Sequence, residues 1–161
     1  MVVDLCRRLF LARGRPLRIR PPWSGNEEDF VGKCSGCGIC VEVCPEKILE
    51  IGGGNYPWVN FAVGHCTFCG ACRQHCPEQA LGSGDDESPW PCKAIIGSGC
   101  LAHQGTTCRS CGEHCQDAAI TFRPDLGGSS QPLVNTDQCS GCGACVAVCP
   151  VQAIYIQDGL L

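Results

Sequence analysis

The chain has 161 residues, of which 18 are cysteine, and its formal net charge is −4 at pH 7. Leu, Ile, Val and Phe together supply only 36 residues, so a hydrophobic core alone is too small to hold the chain folded. No apolar run approaches the length of a membrane span, and we therefore expect that this is not an integral membrane protein.

The first twenty residues form a basic arm. They carry six arginines and one acid, a net charge of +5, which leaves −9 for the remainder. Apolar residues at helical spacing predict a short amphipathic helix that contacts a partner or an anionic membrane surface; a solvated, disordered arm is the alternative. The residues predicted to bind the partner are Leu5, Arg7, Arg8 and Leu9.

The arginine pair of this arm resembles a twin-arginine export signal, but the residues that follow are polar and basic where such a signal is apolar. A cytoplasmic location is therefore expected. The acidic remainder favours docking to basic patches on redox partners and argues against nucleic-acid binding.

Sixteen cysteines fall into four motifs, three of which read C-x2-C-x2-C-x3-C-P. This run is the one by which bacterial-type ferredoxins bind 4Fe-4S clusters. Zinc sites bring two C-x2-C pairs from separate loops, and disulfides cannot easily join cysteines this close, so both are weaker alternatives. The motifs are Cys34, Cys37, Cys40, Cys44; Cys66, Cys69, Cys72, Cys76; Cys100, Cys108, Cys111, Cys115; and Cys139, Cys142, Cys145, Cys149.

The motifs are expected to work in pairs, with the fourth cysteine of each reaching the cluster of its partner. Four 4Fe-4S clusters are predicted in this way. The ligand sets are Cys34, Cys37, Cys40 and Cys76; Cys66, Cys69, Cys72 and Cys44; Cys100, Cys108, Cys111 and Cys149; and Cys139, Cys142, Cys145 and Cys115.

Prolines follow three of the fourth cysteines, and we expect each to start a short helix (Pro45, Pro77, Pro150). Between the motifs, apolar stretches bracket glycine-rich turns and predict two hairpins. The first hairpin spans residues 48–59 and the second residues 120–134, and residues 154–156 form a final strand.

The predicted fold class is α+β, with two tandem bacterial-type ferredoxin-like domains, rich in loops, short helices and hairpins. Residues 1–29 form the arm and a Pro-Pro-Trp-Ser segment, 30–81 the first two-cluster domain, 82–91 a linker, and 92–161 the second two-cluster domain. Because each domain is small, cluster binding should supply much of its folding free energy.

The third motif departs from the others. Seven residues separate Cys100 from Cys108, Gln116 replaces the proline, and Glu113 and His114 occupy the loop. We therefore expect its cluster to be the most exposed; a tolerated insertion without consequence is the alternative. Ligation by His114 or His103 is a further alternative. Two cysteines, Cys6 and Cys92, lie outside the motifs and are interpreted as ordinary thiols.

The arginine arm, the segment Pro21-Pro22-Trp23-Ser24, the four motifs and the stretched third motif beginning Cys100-Leu101-Ala102 together resemble the NapF family of ferredoxin-type accessory proteins of periplasmic nitrate reductase systems. The resemblance implies a cytoplasmic four-cluster protein that binds the precursor of the molybdenum catalytic subunit and assists its maturation before export. The alternative is a general polyferredoxin that carries electrons between oxidoreductases. No nucleophile–base pair or phosphate loop is visible, so no enzymatic activity is predicted.

Overall fold

The computed structural model describes residues 18–82, 89–125 and 128–157. Cys6 and the predicted partner-binding residues Leu5, Arg7, Arg8 and Leu9 lie outside these ranges. Within the described ranges no helix is long and apolar enough to cross a membrane.

The first half begins with helix α1 (Glu27–Lys33), which the sequence patterns did not predict. The side chain of Asn26 accepts the backbone N–H of Asp29 at 2.9 Å and caps the helix, whose first turn is acidic, as the helix dipole favours. Its inward face carries Phe30, which packs on Ala80 and Leu81. This packing joins the start of the first half to its end.

The predicted first hairpin is present. Strand β1 (Leu49–Ile51) pairs antiparallel with β2 (Pro57–Val59) across a 3-10 turn, Gly53–Asn55. Two short helices flank it, α2 (Ile39–Val43) and α3 (Ala71–Gln74).

The second half contains two antiparallel strand pairs. Strands β4 (Ile120–Pro124) and β5 (Ser130–Val134) form the predicted second hairpin. Strand β3 (Lys93–Ile96) pairs with the predicted final strand β6 (Ile154–Gln157), so the beginning and end of this half lie side by side. Helices α4 (Ser110–Glu113) and α5 (Ala144–Ala147) pack against each other, α4 also against β4 and α5 against β6.

Strand β3 was not predicted, and the described part of the first half has no counterpart of the β3–β6 pair. In the first half, helix α1 instead covers the core, through the side chain of Phe30. Pairing between β3 and β6 depends on residues about sixty positions apart, which local sequence patterns do not reveal.

The prediction that prolines after the fourth cysteines start helices is wrong. Each short helix precedes its fourth cysteine, and a tight turn follows it. In every motif the amide three residues after the fourth cysteine donates to that cysteine's carbonyl, at 3.1 to 3.2 Å, with a positive φ near 50° at the donor (Lys47, Gln79, Ala118, Gln152). Proline is favoured at the second position of such a turn but is not required there. Gln116 is therefore compatible with the third turn.

Candidate iron-sulfur cluster sites

Three cavities in the structure are each lined by four cysteines, three from one motif and one from its partner motif. Their volumes, open mouths included, are about 370, 360 and 320 Å³. We call them site 1 (Cys34, Cys37, Cys40, Cys76), site 2 (Cys66, Cys69, Cys72, Cys44) and site 3 (Cys100, Cys108, Cys111, Cys149).

The remaining four motif cysteines, Cys139, Cys142, Cys145 and Cys115, are called site 4. Three of them belong to one cluster of the core: Cys139 and Cys145 are buried, and Cys115 packs against them. Cys142 is half-buried and its backbone contacts the first half of the molecule.

The short helices place neighbouring sites side by side within each half. Cys40 of site 1 lies in α2, and Cys44, which follows that helix directly, lines site 2. In the second half, Cys145 of site 4 lies in α5, and Cys149 two residues beyond its end lines site 3. One helical turn therefore separates adjacent sites.

The donor set and its geometry fit an iron-sulfur cluster better than a single ion. Thiolates are soft ligands that select zinc, copper(I) or iron-sulfur clusters. In the described ranges, no group of three or more His, Cys, Asp or Glu side chains is arranged around a single ion. The cysteines instead surround cavities of a few hundred Å³, which have room for a group larger than one metal ion.

The helices beside three of the sites begin at a glycine with positive φ, as at Gly38 and Gly70. This conformation turns the loop around the cavity before the helix starts. Further on, the amides of Ala119 and Ala153 each donate to the Sγ atom of the cysteine four residues earlier, at 3.3 Å. Such hydrogen bonds stabilise a thiolate and raise the reduction potential of a cluster that it binds.

Burial makes the central thiols hard to ionise. Desolvation, reinforced by neighbouring thiols, raises the pKa of Cys40, Cys72 and Cys145 to about 12 and the pKa of Cys66 and Cys111 to about 11. At neutral pH these cysteines are protonated in the folded chain without iron. Because iron binds the thiolate, each ligand must release its proton when iron binds.

The expectation that the third motif is the most exposed is wrong for its cysteines. Cys100 and Cys111 are buried, whereas the exposed motif cysteines are Cys37 and Cys69 in the first half. The extra residues after Cys100 fold into successive turns, with the amide of Thr106 donating to the carbonyl of Leu101 at 2.9 Å. Among the inserted residues, Leu101 lines site 3, whereas residues 103–107 are exposed.

The histidines near the third motif do not line site 3. His114 is exposed, and its Nδ1 donates to the carbonyl of Ser110 at 2.9 Å. His103 is also exposed. The alternative of histidine ligation has no support in this geometry.

Arg18 and Arg20, assigned to the basic arm, pack on the first half. The Arg20 guanidinium donates to both carboxylate oxygens of Glu27, at 2.8 and 2.6 Å, and lies over the rings of Phe30 and Tyr56. The Arg18 guanidinium lies over the Trp58 ring. The rest of the predicted arm, residues 1–17, lies outside the described residues.

Sequence reasoning also missed Trp90, which it placed in the linker. This side chain is buried and packs edge-on against Phe61 and Phe68, and Cys92 belongs to the same apolar cluster. The signal available in the sequence was the presence of a large aromatic residue in an otherwise polar linker.

Comparison with known proteins identifies the class. The family model described as 4Fe-4S dicluster domain matches residues 33–81, and the model described as 4Fe-4S binding domain matches residues 132–155. Together with the fold, these matches define an iron-sulfur protein with two ferredoxin-type domains, whose chemistry is electron transfer. The ferredoxin-type protein NapF of Escherichia coli strain K12 is 46% identical over 157 residues, which cover 96% of this chain and 95% of that protein. The chain belongs to the NapF family of ferredoxin-type proteins.

Other relatives agree with this assignment. The ferredoxin-type protein NapF of Haemophilus influenzae is 46% identical over 87% of this chain and 79% of its own length. The ferredoxin-type protein NapG of Escherichia coli is 32% identical over 88% of this chain and 70% of its own length. The family that the arm, the Pro-Pro-Trp-Ser segment and the stretched motif indicated is confirmed.

Proposed function

We propose that this chain holds four 4Fe-4S clusters, one at each of the four cysteine sites, and acts as an accessory protein to a periplasmic nitrate reductase. In this role it binds the precursor of the molybdenum catalytic subunit in the cytoplasm and assists its maturation before export. Its contribution is the delivery of electrons or of iron-sulfur components. The similarity to NapF proteins over almost the whole chain supports the proposal.

The cluster assignment rests on the exchange of the fourth cysteine between paired motifs. Each of three cavities takes its fourth cysteine from the partner motif, which is the arrangement of two-cluster ferredoxins. When bound, each cluster supplies reversible one-electron redox chemistry. The chain supplies the thiolates, the apolar surroundings and the amide donors to sulfur.

The partner assignment rests on the distribution of charge. Residues 1–17 contain four of the arginines, whereas Arg20 is already paired with Glu27. We propose that these four arginines meet acidic groups on the partner and that the apolar residues Leu5 and Leu9 anchor the complex. In the described ranges the buried residues are apolar or cysteine, so we propose an electron carrier and not an enzyme.

The acidic character of residues 21–161, with a net charge of −9, favours a second candidate. A general polyferredoxin would dock through this surface on basic patches of several oxidoreductases. The two candidates differ in which part of the chain recognises the partner.

The experiment is co-purification of the anaerobically prepared holoprotein with the catalytic-subunit precursor. A chain lacking residues 1–17 keeps the Arg20–Glu27 ion pair and all sixteen motif cysteines, and it should lose binding while retaining about sixteen irons, four for each cubane. Replacement of Arg7 by glutamine should weaken binding, whereas Arg123→Gln, which removes an exposed arginine from β4, is the charge-matched control. Full binding by the truncated chain would favour the general carrier.

A further inference from the structure

The two halves meet where the motifs of site 2 and site 4 face each other. The backbone N–H of Cys66 donates to the carbonyl of Cys142 at 2.8 Å. Cys66 lines site 2, and Cys142 belongs to the site 4 set. A short covalent path interrupted by one hydrogen bond therefore joins a cysteine of the first half to a cysteine of the second.

Aromatic packing holds this junction together. Trp90 donates from Nε1 to the carbonyl of Ser140, in the loop of the fourth motif, at 3.0 Å. Its ring packs edge-on against Phe68, in the loop of the second motif, with centroids 5.6 Å apart, and against Phe61 at 5.9 Å. The same side chain thus contacts both cysteine loops and excludes water from the space between them.

The close approach of the loops leaves no room for a side chain at Gly143. A Cβ atom there would overlap the ring of Phe61, which belongs to the other half. Gly70 occupies the equivalent position of the second motif, also with positive φ, and a Cβ atom there would be 3.7 Å from its nearest neighbour, Nε2 of Gln74. The tight fit at Gly143 therefore belongs to the junction and not to the motif as such.

We propose that the four sites form one electron path in the order site 1, site 2, site 4, site 3, in which electrons cross between the halves at the Cys66–Cys142 hydrogen bond. This inference rests on the proposed cluster content. In each step one electron leaves a reduced cluster, 4Fe-4S(1+), and enters an oxidised neighbour, 4Fe-4S(2+), and no bond is formed or broken. A one-electron reductant supplies electrons at one end, and a one-electron acceptor removes them at the other.

The order follows from the geometry within and between the halves. Helix α2 separates site 1 from site 2 by one turn, and α5 separates site 4 from site 3 in the same way. The direct backbone bond between the halves involves sites 2 and 4. These two sites are therefore the inner members of the path, and sites 1 and 3 are its ends.

The first test isolates the inner pair. The full chain carrying both Cys37→Ala and Cys108→Ala lacks one ligand at each outer site and should retain about eight irons. After reduction with dithionite, electron paramagnetic resonance should show two clusters broadened by magnetic interaction. Adding Gly143→Ala should reduce this interaction, whereas adding Gly128→Ala, which imposes the same positive-φ strain in the β4–β5 turn away from every cysteine site, should not. An unbroadened sum of two isolated signals would overturn the proposal.

The second test uses the wild-type holoprotein and does not depend on the stability of any variant. Hydrogen exchange resolved to the Cys66 amide should show protection. Loss of the bond in Gly143→Ala should speed exchange by about fivefold to tenfold, the effect of one net hydrogen bond, whereas Gly128→Ala should leave the exchange rate unchanged. Fast exchange in the wild type would refute the junction. Iron analysis tests the proposed cluster content separately. Fewer than about sixteen irons per chain would contradict that content, whereas a protected Cys66 amide in the same sample would still support the hydrogen bond between the halves.

Discussion

Replacement of Phe30 by alanine should release the cluster of site 1 selectively. The ring is 1% exposed, packs on Ala80 and Leu81, and lines the site 1 cavity. Arg20 lies over it at 5.3 Å. Removal of the Phe30 ring therefore opens one wall of site 1. The ring does not line site 3, so that site should be unaffected.

The size of the effect follows from the burial of the ring. A fully buried Phe→Ala substitution costs about 3 to 5 kcal/mol, and removal of the cation–π interaction adds roughly 0.5 to 1 kcal/mol. Each 1.4 kcal/mol is a factor of about ten in a rate or an equilibrium constant. If the packing of the ring breaks before the cluster dissociates, the variant should therefore release its cluster roughly 300-fold to 20,000-fold faster.

The assay is the loss of visible cluster absorbance in an iron chelator under anaerobic conditions, followed by iron analysis of the product. We expect a fast phase that removes about four irons per chain, the content of one cubane. Leu133→Ala is the control, because this residue is 49% exposed in β5 and surface substitutions change stability by less than about 0.5 kcal/mol. Equal release rates in the two variants would refute the reasoning, and so would simultaneous loss of all clusters.

Helix α1, the buried thiols and the exposed cysteines each allow a further test. Asn26→Ala removes the cap of α1 and should lower the free energy of unfolding by about 1 kcal/mol, measured in urea. In the cluster-free chain, Cys40 keeps its proton to about pH 12 when folded but ionises near pH 9 when unfolded, so any residual structure should be lost as pH rises from 9 to 12, measured by circular dichroism. Air should attack sites 1 and 2 first, because Cys37 and Cys69 are exposed, and iron loss from ligand variants identifies the site.

Each of these has a contrary outcome. Unchanged unfolding in Asn26→Ala would mean that α1 does not need its cap. If the residual structure of the cluster-free chain became more stable above pH 9, that result would contradict the burial of the thiols. Earlier loss of site 3 than of site 1 in air would show that access to oxygen is not set by the exposure of the cysteines.

The sequence was most informative about features that depend on neighbouring residues, although it missed α1 and the turns after the fourth cysteines. The cysteine spacing was sufficient to predict 4Fe-4S binding, because three cysteines at intervals of three must wrap around one group. The two hairpins were also predictable, since short apolar stretches flank glycine-rich turns. The turn after each fourth cysteine was mistaken for a helix because proline at that position is compatible with both.

Only the tertiary structure decided which features come together over long distances. Pairing of β3 with β6, closure of the first half by Phe30 and insertion of Trp90 between two cysteine loops all join residues far apart in the chain. Such interactions depend on shape and burial, and local sequence patterns carry no record of them. The exposure of Cys37 and the burial of Cys100 have the same origin: motif spacing specifies what a loop can hold, whereas the packing of the chain around that loop determines how far water reaches it.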